Sequence, residues 1–283
     1  MFRLANDVLI PAIGFGTWES TDPQKCADCV KLALETGYGH IDTAKIYKNE
    51  EFVGKGIKAY LEANPDKKRA DVFVTTKLWN ANQGYDATLA EFGNSLTRLG
   101  LDYVDLFLVH WPNTKRMETT IDTWKALEKI YRDKKARAIG VCNFKPHHFE
   151  ELLPHATIVP MVNQIELHPE MQQEETVAYC RGKGIQIEAW SPLMRGNLEN
   201  PVLLAIAAKY GKSVAQVILK WHLQNGYIPL PKSVTPSRIK ENYDLGGFGL
   251  DDDDLAKIKE LNRDKRIFGA DPDTMAYGFD KIK

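Results

Sequence analysis

The chain has 283 residues, with 37 Lys plus Arg against 38 Asp plus Glu, and its formal net charge of −1 argues against a polyelectrolyte partner such as nucleic acid. Its 43% hydrophobic and 27% charged residues describe a folded protein with a large core, which excludes whole-chain disorder, collagen or coiled coil. Length alone fits either two domains of about 150 residues or a single α/β barrel of about 250.

The first residues lack the charged-then-apolar pattern of a secretory signal, so the chain is expected to start at Met1. β-rich runs at 12–16, 39–42, 73–77, 103–110, 136–142, 159–166, 185–189 and 227–229 follow as eight predicted strands. Between them apolar residues recur at spacings of three and four, as in Val30 and Leu34 or Leu89, Phe92, Leu96 and Leu99, which predicts outer amphipathic helices. The run Tyr103 to Val109 is almost continuously apolar, as a parallel strand covered on both faces requires. Eight βα units without a linker give the fold class: α/β, a (β/α)8 TIM barrel in one domain over 1–283, with a short leading segment and a tail over about 263–283 near the mouth.

Apolar stretches such as 202–208 fall far short of the roughly 18 residues of a membrane span, so no membrane association is expected. Four cysteines make no disulfide framework, and a reducing cytoplasm is the expected compartment. Several patterns have bland explanations. Asp251 to Asp254 reads as a helix cap, Lys67-Lys68-Arg69 and 132–137 as solvated helix ends, and His147-His148 as an exposed helix start. Gly54-Lys55-Gly56 follows a helix and no strand, so it fails as a dinucleotide loop, and Cys26-Ala27-Asp28-Cys29 lies within a predicted helix. No metal site is expected.

Chemistry in such barrels sits at the carboxyl ends of the strands. Here those ends carry Asp42, Lys77, His110, Cys142-Asn143, Asn163-Gln164 and Trp190-Ser191. Asp42 and Lys77 would come from neighbouring strands and form an ion pair, with Tyr47 a few residues into the next loop. An ammonium beside a phenol favours phenolate, so Tyr47 is expected to be an acid with a lowered pKa, and His110 could orient a carbonyl.

The segment Gly37-Tyr38-Gly39-His40-Ile41-Asp42-Thr43-Ala44-Lys45-Ile46-Tyr47-Lys48-Asn49-Glu50 resembles the first signature of the aldo-keto reductase family. Leu101 to Leu106 leading to His110-Trp111-Pro112, and Pro231-Lys232-Ser233-Val234-Thr235-Pro236-Ser237-Arg238-Ile239-Lys240-Glu241-Asn242, resemble two more of its blocks in the family's order. The resemblance implies NADPH-dependent reduction of aldehydes and ketones to alcohols. Tyr47 would be the general acid, Asp42 and Lys77 would tune it, and His110 would position the carbonyl. Asn143 and Gln164 would hold the nicotinamide carboxamide, Trp190 would stack on its ring, and Ser191 and Leu193 would lie beside it. Lys232, Ser233 and Arg238 would meet the NADPH 2′-phosphate, Val234 would also touch the cofactor, and Glu241 and Asn242 would lie at the adenosine end.

The chain departs from the family at Gly39, where Arg is usual, at Lys48, where Gly is common, and at Cys142, where Ser is common. Trp18, Trp79, His110 and Trp111 are the expected substrate contacts, and the short loop from Trp111 to about Met117 predicts an open mouth over which the tail can fold. The architecture is similar to microbial members that include 2,5-diketo-gluconate reductases and NADP+-linked alcohol dehydrogenases. That implies a monomer acting on small carbonyl compounds without an obligate protein partner. Two other readings remain: a Schiff-base aldolase with Lys77 as nucleophile, and a cofactor-binding subunit without turnover.

Overall fold

The computed structural model describes residues 1–281, so positions 282–283 of the expected tail lie outside the described residues. Eight strands run parallel in sequence order: β3 (Phe15–Gly16), β4 (His40–Asp42), β5 (Phe73–Leu78), β6 (Val104–Val109), β7 (Ala136–Cys142), β8 (Val162–Glu166), β9 (Gln186–Trp190) and β10 (Ile228–Pro229). Two backbone bonds join the first to the last, Gly14 N–H donating to Pro229 O at 3.1 Å and Gly16 N–H to Pro231 O at 3.0 Å. The barrel is closed, as its sequence pattern predicts. Glycine is needed at this seam, because a Cβ on Gly14 would stand 2.5 Å from Leu230 and 2.6 Å from His40.

Seven helices wrap the outside: α1 (Pro23–Thr36), α2 (Glu50–Ala63), α3 (Tyr85–Leu99), α4 (Met117–Arg132), α5 (Pro146–Leu152), α6 (Glu174–Gly182) and α8 (Val214–Gln224). Two elements go beyond the expected pattern. A hairpin of β1 (Phe2–Arg3) and β2 (Leu9–Ile10) occupies the leading segment, and α7 (Pro201–Tyr210) precedes α8. Local signals account for α7: the Asn200 side chain caps it, Pro201 fits its first position, and Gly211 ends it at φ 60°. The expected strand at 159–166 begins only at Val162, since Pro160 has no N–H for the ladder. Finally α9 (Pro236–Tyr243) follows β10, and α10 (Asp252–Lys259) starts with a capping box in which Asp251 accepts from Asp254 N–H.

The basic helix ends are only partly solvated. Asp105, fully buried in β6, accepts from Arg69 at 2.8 Å, from Val74 N–H at 2.9 Å and from Arg137 at 2.7 Å. Arg69 and Arg137 therefore tie adjacent strands together at the amino-terminal end of the barrel. The glycines of α2 serve packing. A Cβ on Gly54 would come within 2.1 Å of the Leu99 carbonyl, and one on Gly56 within 2.6 Å of the Ala27 carbonyl. Cys26 and Cys29 sit on the buried face of α1, where burial raises both thiols and leaves them unreactive. Among the described residues no single helix is long and apolar enough to cross a membrane.

Candidate active site

A cleft of about 880 Å³ opens at the carboxyl ends of the strands. Asp42 ends β4, and the chain then makes a 3-10 turn, Lys45–Tyr47, that aims Tyr47 into the cleft. Asn49 fixes this turn. Its amide nitrogen donates to Thr17 O at 2.8 Å and Ser20 O at 3.2 Å, and its oxygen accepts from Thr43 Oγ1 at 2.7 Å. Lys48 between them is left-handed at φ 56°, which explains why glycine suits that position. At Gly39, a second of the three departures from the family pattern, a side chain would press on Pro11 at 3.2 Å.

Lys77, on β5, is completely buried and spends all three donors on Asp42 Oδ1 at 2.6 Å, Thr43 O at 2.9 Å and Tyr47 Oη at 3.3 Å. Burial alone would lower this ammonium, but Asp42 and, behind it, Tyr47 hold it above its ordinary value. A charged amine with no free donor and no opening to the cleft is not a Schiff-base nucleophile. Tyr47 departs from expectation. Burial pushes its phenol up to about 12, outweighing the downward pull of Lys77, so the side chain is a neutral phenol. The sequence revealed the neighbouring charge but not the depth of burial that opposes it.

His110 follows β6 and packs edge-on between Tyr47, at 6.0 Å between ring centres, and Trp79, at 5.3 Å. Burial, then Lys77, hold it well below its ordinary value, which makes it a neutral imidazole. Asn143 adopts φ 62°, donates to His110 O at 3.0 Å and accepts from the Trp190 indole N–H at 2.8 Å. Both ends of this amide are thus occupied in orienting its neighbours. Gln164 donates to Asp42 Oδ2 at 3.0 Å and to Glu188 at 2.9 Å. Cys142 beside them is buried, and burial raises its thiol well above the usual range.

Trp190, Ser191 and Leu193 continue the wall beyond the mouth, and Lys232, Ser233, Arg238, Glu241 and Asn242 line the far end. Val234 does not: it packs, half-buried, against the hydrophobic core. The Ser233 hydroxyl accepts from Thr235 N–H at 3.1 Å, shaping the start of α9. Arg238 extends from the first turn of that helix and has no hydrogen bond or ion pair with any described residue. An elongated cleft, flat and aromatic at one end and cationic at a helix start at the other, fits a dinucleotide bearing an extra phosphate.

Trp18, Trp79 and Trp111 line the mouth with His110. The mouth is less open than its short loops suggest, because the tail crosses it. Phe268 packs edge-on against Trp18 at 5.3 Å and Trp190 at 6.4 Å, Tyr277 lies 5.7 Å from Trp79, and Asn80 donates to Tyr277 O at 2.9 Å. Sequence reasoning missed Phe268 and Tyr277 as particular contacts, and missed Arg195, which reaches over Trp18 to pair with Glu19 at 3.2 Å.

The tail is latched below the rim, where Lys145 bonds Asp271 at 2.9 Å and Asp273 at 2.7 Å. His147 and His148 also meet Asp273, at 2.9 and 3.1 Å, and His148 is buried rather than exposed as expected. This trio has the spacing of a metal site. However, His148 Nδ1 accepts from Lys145 N–H at 3.0 Å, which places the ring hydrogen on Nε2, 3.1 Å from Asp273 but not aimed to bond it, and a protonated nitrogen is not a metal ligand. The arrangement is that of a polar latch.

The Aldo/keto reductase family matches residues 12–263, and the chain belongs to it. It is an NADP(H)-dependent oxidoreductase that acts on carbonyl groups. The chain is 51% identical to a glyoxal reductase of Bacillus subtilis, across 97% of each chain. It is 41% identical to an Escherichia coli methylglyoxal reductase, across 96% of this chain and 97% of the other. The solved Bombyx mori aldo-keto reductase in complex with NADP superposes with a TM-score of 0.88 at 36% identity, covering 94% of each chain.

Proposed function

We propose that the protein reduces small aldehydes and α-dicarbonyl compounds with NADPH, and that Tyr47 donates the proton to the nascent alcohol. The observation that carries this reading is the chain Asp42–Lys77–Tyr47, buried at its carboxylate and ammonium and ending in a half-buried phenol at the floor of an aromatic mouth. When bound, the nicotinamide supplies the hydride. The protein's part is to bind, orient and deliver a proton.

Trp190, held by Asn143, offers the flat wall for the ring, and Gln164 faces the same part of the cleft. Lys232, Ser233 and Arg238 take the 2′-phosphate, with Glu241 and Asn242 toward the adenosine. His110, neutral and wedged between Tyr47 and Trp79, can donate to a carbonyl oxygen without adding a charge. A raised phenol is not a handicap here. An alkoxide is a far stronger base than a phenolate, so Tyr47 keeps its proton in the resting enzyme and loses it only as hydride arrives. Lys77 then faces the new phenolate across 3.3 Å and stabilises it.

Three tryptophans and a tail carrying Phe268 and Tyr277 favour compact carbonyl substrates, in keeping with the relatives named for glyoxal and methylglyoxal. Every group in this scheme comes from one domain of one chain, which supports action as a monomer. Four free, buried thiols agree with a cytoplasmic setting. Tyr47→Phe tests the central assignment: reduction should fall about 100- to 10,000-fold while NADPH affinity stays within about two-fold. Retention of most of the activity would remove Tyr47 from its role.

A further inference from the structure

One layer beneath the mouth, inside the barrel, lies a set of polar side chains that the proton-transfer scheme does not use. Glu188 on β9 is fully buried, as are His40 on β4 and Thr75 on β5. The Gln164 amide nitrogen has two hydrogens and two carboxyl partners, Asp42 Oδ2 at 3.0 Å and Glu188 Oε2 at 2.9 Å. Glu188 Oε1 and His40 Nδ1 are both buried without a hydrogen-bond partner, and they face each other at 3.8 Å. His40 Nε2 lies 2.8 Å from Thr75 Oγ1.

We infer that Glu188 is a positioning residue for the reduction: as a neutral acid it anchors Gln164 against Asp42 and keeps a second negative charge out of the layer beneath Tyr47. The inference rests on the reading of Tyr47 as proton donor, but its first element, the resident proton, can be tested without it. Asp42, Glu188, Lys77, His40 and Cys142 are the titratable groups that face this space, from β4, β9, β5 and β7, and Lys77 is the one cation among them. Asp42 already holds Lys77, which leaves Glu188 with an amide and an imidazole but no counter-charge.

A proton on Glu188 Oε1 leaves that atom neutral opposite His40 Nδ1, which at 3.8 Å stands too far away to bond it but near enough that a carboxylate there would face a lone pair. The imidazole then keeps its own hydrogen on Nε2, toward Thr75. Burial and the Asp42 charge push Glu188 up to about 8, and burial pushes His40 down to about 3, so near neutral pH the proton stays on the acid. Ionising Glu188 would add a negative charge under a phenol that must itself become negative as it gives up its proton. One unit charge about 10 Å away at an effective dielectric of about 20 slows that step on the order of ten-fold.

The pH dependence of kcat for carbonyl reduction should therefore fall about ten-fold through a limb near pH 8. Glu188→Ala, which leaves Gln164 held by Asp42 alone, should lower kcat below pH 8 with little change in KM. Glu188→Gln mimics the neutral acid, so it should restore most of that loss and flatten the limb. A limb that persists unchanged in Glu188→Gln overturns the inference. In the wild-type protein, the infrared difference spectrum should show a protonated-carboxyl stretch that disappears near pH 8. Its absence also overturns the inference, even if neither variant folds. An active Tyr47→Phe variant with that band intact would instead sink the proton-donor reading and leave a neutral Glu188 standing.

Discussion

Arg238→Ala offers a measurement of cofactor choice with its own internal control. The guanidinium stands at the first turn of α9 and makes no bond to any described residue, so its removal breaks no internal contact that would obscure the result. Lys232 is half-buried on the same wall, and Ser233 is occupied in shaping the turn through Thr235. Arg238 is thus the side chain freest to close on a 2′-phosphate. A hydrogen bond between charged partners contributes about 1.5–3 kcal/mol, and about 1.4 kcal/mol is a factor of ten. Arg238→Ala should weaken NADPH binding roughly 10- to 150-fold. NADH has no phosphate at that place, and its affinity should change less than about three-fold. Fluorescence titration of both cofactors against both proteins gives the four constants needed, and raising the salt should narrow the wild-type preference. Equal loss for the two cofactors would mean that the residue supports the fold of the cleft rather than reading the phosphate.

Two further outcomes probe the scaffold and the cap. Asp105→Asn leaves two arginines competing for a neutral amide at the amino-terminal end of the barrel and should cost about 3–5 kcal/mol. At roughly 2 °C per kcal/mol that lowers the melting temperature by about 6–10 °C in calorimetry. Active-site titration of the folded fraction should show unchanged turnover, and a shift under about 2 °C would contradict the assigned role. Lys145→Met removes the central cation of the tail latch, whose partly exposed ion pairs contribute about 1 kcal/mol each. Substrate KM should rise about three- to ten-fold with kcat nearly unchanged, and proteolytic cleavage after residue 265 should quicken. Unchanged KM and unchanged cleavage would show that the latch does not hold the cap.

The strand ends were the most readable part of the sequence. In a parallel barrel each β run points its last side chains at one mouth, so Asp42, Lys77, His110, Asn143, Gln164 and Trp190 could be collected from the runs alone. The structure brings them together. The layer below was not legible, because Glu188 and His40 sit inside runs where a single polar residue gives no sign of which way it faces. Asp105 was hidden for the same reason, and its partners Arg69 and Arg137 looked like ordinary solvated helix ends. The direction of the Tyr47 shift depended on a quantity that sequence does not carry: how far the side chain is withdrawn from water where the turn places it, beside Lys77 at the foot of the cleft. Tail contacts such as Phe268 on Trp18 join positions about 250 apart and leave no local pattern to detect.

The path of the tail also bears on how proteins built this way can diverge. The groups that would move hydride and proton are set in the strands of a closed barrel, where a change at one is felt by its neighbours. The cap is held by ion pairs at Lys145, by aromatic edges, by Asn80, and by one buried anchor, where Glu166 on β8 accepts from Ile267 N–H at 2.6 Å and pairs with Arg266 at 3.6 Å. Residues 268–279, beyond the Arg266 and Ile267 anchor on Glu166, can therefore be lengthened, shortened or exchanged with little effect on the strands, so selection can alter which carbonyl compounds are admitted while the reaction itself is inherited intact.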